Sequence, residues 1–176
     1  DAKPEGAERT ALYGEARDLY QKAIVEKDNL AVAYYNLAIV EARLKETDKA
    51  IDSAAQAVNI DQRNLNYRYN LGVLYQVRGK EGDEKKAEDI FKEILTANEK
   101  LIDVRLSLGL LYEKEGKRQA ATDEYQKIMD LLPTDATGNI KQTRDQVQTL
   151  IDNVKSGVGN LKSQTPAVTV PATNET

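Results

Sequence analysis

The side chains that could do chemistry in this chain are carboxylates, amines and phenols. The sequence contains no histidine and no cysteine. Histidine is the commonest general base and metal ligand, and cysteine supplies disulfides, thiolate metal sites and thiol nucleophiles. Asp83, Glu84 and Glu88 could bind a divalent cation loosely, but nothing in their spacing demands it, and the chain contains no calcium-binding loop. We therefore expect no catalytic residue, no cofactor and no metal site.

The composition of the chain narrows the range of partners. Over 176 residues, 29 acidic residues outnumber 25 basic ones, and the net charge is −4. Proteins that bind nucleic acid usually carry a basic patch, so we expect no nucleic-acid partner. No stretch approaches the roughly 18 apolar residues of a membrane helix, so we expect no membrane insertion by this segment. The only methionine is Met129, which indicates a processed form or an excised piece.

A short pattern recurs three times along the chain and indicates the elements that position these side chains. Each copy has a leucine followed by a small residue, then an aromatic or charged residue, and then a second stretch with alanine at helical spacing. The leucine-small pairs are 34 and then 37 residues apart. They are Leu37-Ala38, Leu71-Gly72 and Leu108-Gly109.

This residue pattern is similar to the motif of the tetratricopeptide repeat family, whose period is 34 residues. The resemblance implies an all-α fold, a right-handed α-solenoid of antiparallel helix pairs. It would contain about three repeats, an N-terminal half repeat and a C-terminal capping helix. We expect a linker over residues 1–6, the helical-repeat domain over residues 7–155 and a flexible Pro/Thr/Val tail over residues 156–176.

The second helix of each repeat carries the family's small and aromatic positions, with some departures. The matches are Ala50 and Ala57, Ala87 and Phe91, and Ala121 and Tyr125. Packing must adjust around four departures from the pattern, which are Glu41, Ala54, Ile94 and Ile128. Between Gly79 and Ala87 the turn is three residues longer than the family standard, so we expect a protruding charged loop there.

Both ends of the repeat region depart from a full helix pair. Residues 7–27 supply Ala16, Tyr20 and Ala23 at second-helix spacing but no first helix, which predicts a half repeat. Near the other end, Thr134 and Asp135 are candidate caps of a final helix. Its apolar stripe would consist of Ile140, Val147, Ile151 and Val154. The tail could instead lie in a groove as an extended strand, and residues 174–176 match a glycosylation acceptor.

In this family the first helices line a concave groove, so the resemblance implies a partner-binding groove. Its predicted residues are Tyr35, Ile39, Arg43, Tyr69, Asn70, Val73, Gln76, Leu106, Leu110 and Glu113. The alternative is that Tyr35 and Tyr69 are ordinary packing residues of the repeat. Chaperone-binding members grip a carboxylate with basic residues and asparagines, but only Asn70 corresponds here. Asp103 would repel such a carboxylate.

The function predicted from these residues is to bind a protein or peptide segment through an apolar and aromatic groove, without enzymatic activity. The alternative is a self-assembling or accessory module excised from a larger protein. The resemblance extends to repeat segments of some bacterial membrane glycan polymerases and ligases. It therefore favours a bacterial, extracytoplasmic or membrane-associated setting, in which the partner's identity stays open.

Overall fold

The computed structural model describes residues 5–27 and 29–157, and within these residues the chain forms eight α-helices and no strand. The all-α repeat fold expected from the sequence is confirmed. In chain order the helices are α1 (Glu5–Glu26), α2 (Ala31–Arg43), α3 (Thr47–Ile60), α4 (Leu65–Arg78), α5 (Asp83–Ala97), α6 (Ile102–Lys114), α7 (Arg118–Leu131) and α8 (Gly138–Ser156).

The helices divide into two compact units, and the boundary lies between Asp83 and Glu84. In the first unit, α1 packs on α2, α2 on α3, and α3 on α4. In the second unit, α6 packs on α7 and α7 on α8. In the same unit, α5 contacts α6 through a 3.2 Å hydrogen bond that the Tyr112 hydroxyl donates to Glu88. Each unit therefore consists of consecutive helices lying side by side. The single domain over residues 7–155 stays a prediction.

Alanine residues allow α3 to pack closely on α2 in the first unit. Ala50, Ala54 and Ala57 are separated by four and three residues, which places them on one face of α3. Each is at most 1% exposed. Leu37 and Ala38 of α2 are also buried. Because the alanine side chains are short, the two helix backbones can approach and Leu37 can fill the space between them.

In the second unit, a glycine of α6 and an aromatic ring of α7 allow these two helices to pack closely. Tyr125 of α7 is fully buried, and so are Ala121 and Ile128 on the same face. The ring of Tyr125 lies directly against Gly109 of α6, so that a Cβ added at Gly109 would overlap it. Phe91 of α5 is also fully buried, as its aromatic position predicts.

The extra residues before α5 do not form the protruding loop that we expected. Relative to the other repeats, α4 continues one residue further beyond its leucine-small pair, the turn has four residues instead of three, and α5 begins one residue earlier. Asp83, at the start of α5, is 1% exposed and accepts two hydrogen bonds from Arg78, of 2.8 and 2.7 Å. Arg78 also donates to Asp48 of α3 at 2.8 Å. This ion-pair network holds the longer turn against the first unit.

The first helix agrees with the predicted half repeat. It begins at Glu5, two residues before the predicted start, and therefore includes part of the predicted linker. Ala16, Tyr20 and Ala23 are only half-buried, whereas the corresponding positions of α3 and α7 are fully buried. The difference follows from the absence of a preceding first helix among the described residues.

The last helix begins later than predicted. Its N-cap position is Thr137, which makes no side-chain capping hydrogen bond, so the predicted caps Thr134 and Asp135 are wrong. Val147, Ile151 and Val154 form the buried stripe against α7. Ile140 is 46% exposed and does not belong to it, because it lies in the first turn of the helix. The predicted tail from residue 158 onward, including the strand and the glycosylation acceptor, lies outside the described residues.

We predict that Gly109→Ala destabilises the protein by about 1–3 kcal/mol, because the new Cβ must displace the buried ring of Tyr125. Gly14→Ala is the matched control. Gly14 lies inside α1 with no atom within 4 Å of an added Cβ, so alanine should stabilise the helix by about 0.5–1 kcal/mol. Chemical denaturation of both variants measures these changes. Equal effects at the two positions would contradict the proposed packing of α6 on α7.

Candidate partner-binding faces

The ten groove residues predicted from the sequence lie on the first helices, and each unit carries its own set. We use two names for them. The α2–α4 face consists of Tyr35, Ile39, Arg43, Tyr69, Asn70, Val73 and Gln76 in the first unit. The α6 face consists of Leu106, Leu110 and Glu113 in the second unit. On each helix the members are separated by three or four residues, with Asn70 beside Tyr69, so that they share one side of the helix.

Tyr35 acts as a packing residue of the first unit. It is only 9% exposed, and its ring lies 4.9 Å from that of Tyr67 at an interplanar angle of 37°. Burial, followed by the neighbouring Tyr67, raises the pKa of Tyr35. This tilted aromatic pair joins α2 to α4. Val73 is likewise buried, so both side chains support the α2–α4 face and offer little surface to a partner.

Asn70 is a buried polar residue with an unsatisfied atom. Its side chain is 4% exposed, and its Oδ1 accepts no hydrogen bond within the described part of the chain. A buried carbonyl oxygen without a donor typically costs about 1–3 kcal/mol. The fold therefore tolerates an unfavourable group next to Tyr69.

The surface that the α2–α4 face presents comes from its remaining members. Ile39, Tyr69 and Gln76 are half-buried, and Arg43 is exposed at the end of α2. Two further apolar side chains, Val32 at the start of α2 and Val77 near the end of α4, are 47% and 42% exposed. The accessible part of this face is therefore mainly apolar in the middle.

The α6 face combines two half-buried leucines with a fixed carboxylate. Leu106 and Leu110 are one turn apart, and Glu113 follows them. The Tyr125 hydroxyl of α7 donates a 3.1 Å hydrogen bond to Oε2 of Glu113. Burial is the main cause that raises the pKa of Tyr125, so the hydroxyl keeps its proton and remains a donor. The side chain that packs on Gly109 thus also orients Glu113.

One buried carboxylate has a role that the sequence did not reveal. Glu41 is 3% exposed, and the Ser53 hydroxyl donates a 2.7 Å hydrogen bond to it. Burial raises the pKa of Glu41 despite this bond, and the nearby Glu46 adds to the effect. The sequence marked Glu41 only as a departure from an aromatic position. Ser53, twelve residues later on α3, was the signal of a polar contact between the helices.

The three carboxylates considered as loose cation ligands are each engaged with a basic side chain. Asp83 is paired with Arg78, and Glu84 with Lys114 at 3.0 Å. Glu88 accepts a 2.5 Å bond from Lys92, which is the main cause that lowers the pKa of Glu88. Within residues 5–27 and 29–157, no group of three or more histidine, cysteine or acidic residues is placed to hold a metal ion. None of the described helices is long and apolar enough to cross a membrane.

Sequence relatives agree with this architecture. The family model of the tetratricopeptide repeat matches residues 31–64. TPR repeat-containing protein MJ1428 of Methanocaldococcus jannaschii is 28% identical over 91 residues, which are 46% of this chain and 16% of the relative. Photosystem I assembly protein Ycf3 of Rippkaea orientalis is 30% identical over 92 residues, 48% of this chain and 53% of the relative. The chain spans about half the length of the second relative and less of the first.

Solved structures extend the likeness to most of the chain. MamA matches with a TM-score of 0.64 at 19% identity, covering 89% of this chain and 95% of MamA. The Yersinia enterocolitica type III secretion chaperone SycD, solved with a peptide of the translocator YopD, matches with a TM-score of 0.61 at 14% identity. That match covers 71% of this chain and 92% of SycD. At these identities the likeness concerns the fold.

Consecutive helices packed through small residues at a recurring spacing define an α-helical repeat protein. The family model identifies residues 31–64 as a tetratricopeptide repeat, and the chain is similar to proteins that contain such repeats.

We predict that Glu41→Gln raises the melting temperature at pH 8. Because burial disfavours the ionised form of Glu41, its pKa is raised in the folded state, so its contribution to stability is fully present below the unfolded pKa and is lost as pH rises through the folded pKa. Glutamine resembles the protonated side chain, so the difference between variant and wild type should shrink toward about pH 4. Thermal melts at both pH values test this. Glu26→Gln, at an exposed position of α1, is the control, and a lower melting temperature of the Glu41 variant at pH 8 would contradict the prediction.

Proposed function

We propose that the protein is an interaction module that holds a segment of another polypeptide on the first-helix faces of its repeats. The fold supports this class of function, because repeat proteins present extended surfaces made by successive helices. The neighbour SycD was solved with a bound peptide. No catalytic role is proposed, since neither face brings together a nucleophile, a base and an orienting group.

The observation that carries the proposal is the half-buried apolar surface of Ile39 and Tyr69, beside which lies the buried, unsatisfied Oδ1 of Asn70. A peptide brings backbone N–H groups that must be satisfied when they leave water. Ile39 and Tyr69 would bury apolar side chains of such a segment, and one donor would satisfy Asn70 where binding makes its Oδ1 accessible. Binding on the α2–α4 face should then be driven mainly by apolar burial and one hydrogen bond, with little dependence on salt.

A second candidate function is self-association through α1. Leu12 and Leu19, seven residues apart on one side of this helix, are 62% and 65% exposed. Ala16, Tyr20 and Ala23 are only half-buried there. A helix from a second copy would cover apolar surface that the full repeats bury within the chain.

To test the first proposal, peptides can be selected from a random display library against the full chain and their affinities measured by calorimetry. We expect Tyr69→Ser to weaken binding at least about tenfold, which corresponds to about 1.4 kcal/mol. Asn70→Ala should weaken it by a similar factor while leaving the melting temperature unchanged or slightly higher, because it removes a buried unsatisfied group. Tyr34→Ser removes a half-buried tyrosine outside the face and serves as the control. Peptides that bind all three variants as well as wild type would place the binding surface elsewhere.

The second candidate predicts a change in molecular mass with protein concentration. If α1 is the contact, light scattering should show a dimer at high concentration that disappears on replacing Leu12 and Leu19 together by serine. Both side chains are exposed, so the variant should fold normally. A monomer at all concentrations, or a dimer unaffected by the change, would remove this candidate.

A further inference from the structure

We infer that α1 is the second helix of an incomplete helix pair, and that an amphipathic helix of another polypeptide completes it. The partner helix carries a leucine followed by a glycine, as α4 and α6 of this chain do. The inference goes beyond the α2–α4 face, because it concerns a different surface and a different mode of binding.

The position of α1 in the repeat pattern shows which helix is missing beside it. Its residues correspond to those of α3 at a spacing of 34 residues, in the pairs Ala16 and Ala50, Tyr20 and Ala54, and Ala23 and Ala57. In the complete repeats a second helix packs on its own first helix, as α3 packs on α2. No helix precedes α1 within the described residues, so its own first helix is missing there.

Leu19 shows that the side of α1 that a first helix would cover is open. It corresponds to Ser53 of α3 and Glu124 of α7, which are only 8% and 7% exposed. Ser53 donates a 2.7 Å hydrogen bond to Glu41 of its first helix α2. Glu124 accepts a 2.8 Å hydrogen bond from Arg105 of its first helix α6. Leu19 is 65% exposed, so the surface that these first helices cover elsewhere is uncovered on α1.

The chain directly before this part of α1 does not supply the missing helix. In the first and third repeats, a turn of three residues joins the first helix to the second, at residues 44–46 and 115–117. The corresponding residues 10–12 are helical, because α1 begins at Glu5. A first helix joined by the same short turn cannot precede α1, since α1 itself continues through that turn. The helix that completes the pair must come from elsewhere.

A folded second copy offers no suitable helix within the described residues. The leucines of its three leucine-small pairs, Leu37, Leu71 and Leu108, are at most 9% exposed, so these helices already pack inside the copy. Each leucine of α1 is followed by a tyrosine, and the leucine of α8 is followed by an isoleucine. A separate polypeptide is therefore the source that the packing favours.

The glycine of the partner helix follows from an aromatic residue of α1. Tyr20 occupies the position that Tyr125 has in α7. The ring of Tyr125 lies against Gly109 of α6, where an added Cβ would overlap it. A helix that packs on Tyr20 in the same way must bring a glycine, preceded by a leucine as Gly109 is preceded by Leu108.

The exposed leucines of α1 determine the other partner residues. In the complete pairs, the residue at the position of Leu19 meets Arg105 or Glu41, which lie three residues before and four residues after the leucine of their own pair. At both places the partner of α1 must be apolar, because a charge against Leu19 would lose water without gaining an ion pair. Leu12 lies two turns earlier on the same side and is 62% exposed, so it extends the apolar surface.

The probe is a synthetic peptide, acetylated and amidated, with leucine at positions 4, 7 and 11, glycine at position 8, and alanine, lysine or glutamate elsewhere. A second peptide has leucine in place of the glycine. The affinity of each for the full chain is measured by fluorescence anisotropy. We expect the glycine peptide to bind at least about tenfold more tightly, because leucine would overlap the ring of Tyr20. Non-specific apolar binding gives the opposite order, since leucine is more apolar than glycine and forms helices better.

Three variants of the protein locate the contact. Tyr20→Ala removes the ring, as Ala54 does at the corresponding position of α3, and should abolish the preference for the glycine peptide. Leu19→Ser should weaken the glycine peptide at least about tenfold through lost apolar burial. Val25→Ser is the matched control, because Val25 is 87% exposed on another side of α1. Leu19 and Val25 are both exposed, so these two variants should fold normally.

The inference is overturned if the leucine peptide binds wild type as tightly as the glycine peptide, or if neither peptide binds. Binding that survives Leu19→Ser but is lost in Tyr69→Ser would place the peptide on the α2–α4 face, which overturns the inference and leaves the proposed function standing. A dimer that Leu12→Ser and Leu19→Ser together remove, without peptide binding, would show that a second copy covers α1 and would also overturn the inference.

Discussion

The close approach of α7 to α6, where the ring of Tyr125 lies against Gly109, is the contact on which the second unit depends. A residue with a Cβ at this position would push the two helices apart, and the buried surface of α7 would lose its partner. In the first unit the same role falls to the alanines of α3, which are fully buried against α2. The proposed partner-binding faces lie on the first helices, away from these contacts, although Tyr35, Asn70 and Val73 are buried there. The packing rule therefore limits which parts of the first helices the proposal can use.

The same constraint explains the buried charges. Where two helices lie this close, a polar side chain at the contact must find a partner within the pair, because water is excluded. Glu41 has Ser53, Arg105 has Glu124, and Asp83 has Arg78. These pairs replace aromatic or aliphatic contacts that the family pattern would lead one to expect at some of these positions. A buried pair is costly to break but adds little net stability compared with apolar packing, so its main effect is to fix which helices meet.

The sequence predicted the helix pairs well because small and large residues at fixed spacing determine which helix surfaces can approach. The sequence placed Leu108 and Gly109 in the repeated leucine-small pair and Tyr125 on the second helix of the same repeat. It predicted less about accessibility. Tyr35 and Val73 lie on the expected side of their helices but are buried, since exposure depends on neighbouring helices that a linear pattern does not locate. The predicted start of α8 and the predicted protruding loop before α5 were also wrong. The N-cap residue of α8 makes no side-chain hydrogen bond, and the turn before α5 depends on the pairing of Arg78 with Asp83.

Corresponding positions of the three repeats carry different residues, and these differences distinguish the candidate faces. Tyr125 occupies the second-helix position that Phe91 and Ala54 occupy in the other two repeats. Glu113 occupies the first-helix position of Gln76 and Ala42. The phenol of Tyr125 therefore corresponds to the carboxylate of Glu113. The phenyl ring of Phe91 corresponds to the neutral amide of Gln76, and the methyl group of Ala54 to that of Ala42. In the second unit the reason is visible, because the phenol hydroxyl donates to the carboxylate and satisfies it where it emerges from the packed contact. In this repeat the charged first-helix residue is thus paired with a donor on the second helix. The residue at the buried position of Tyr125 and the residue at the position of Glu113 are therefore coupled. Through this hydrogen bond, the packing residue of α7 orients the charged residue of the α6 face.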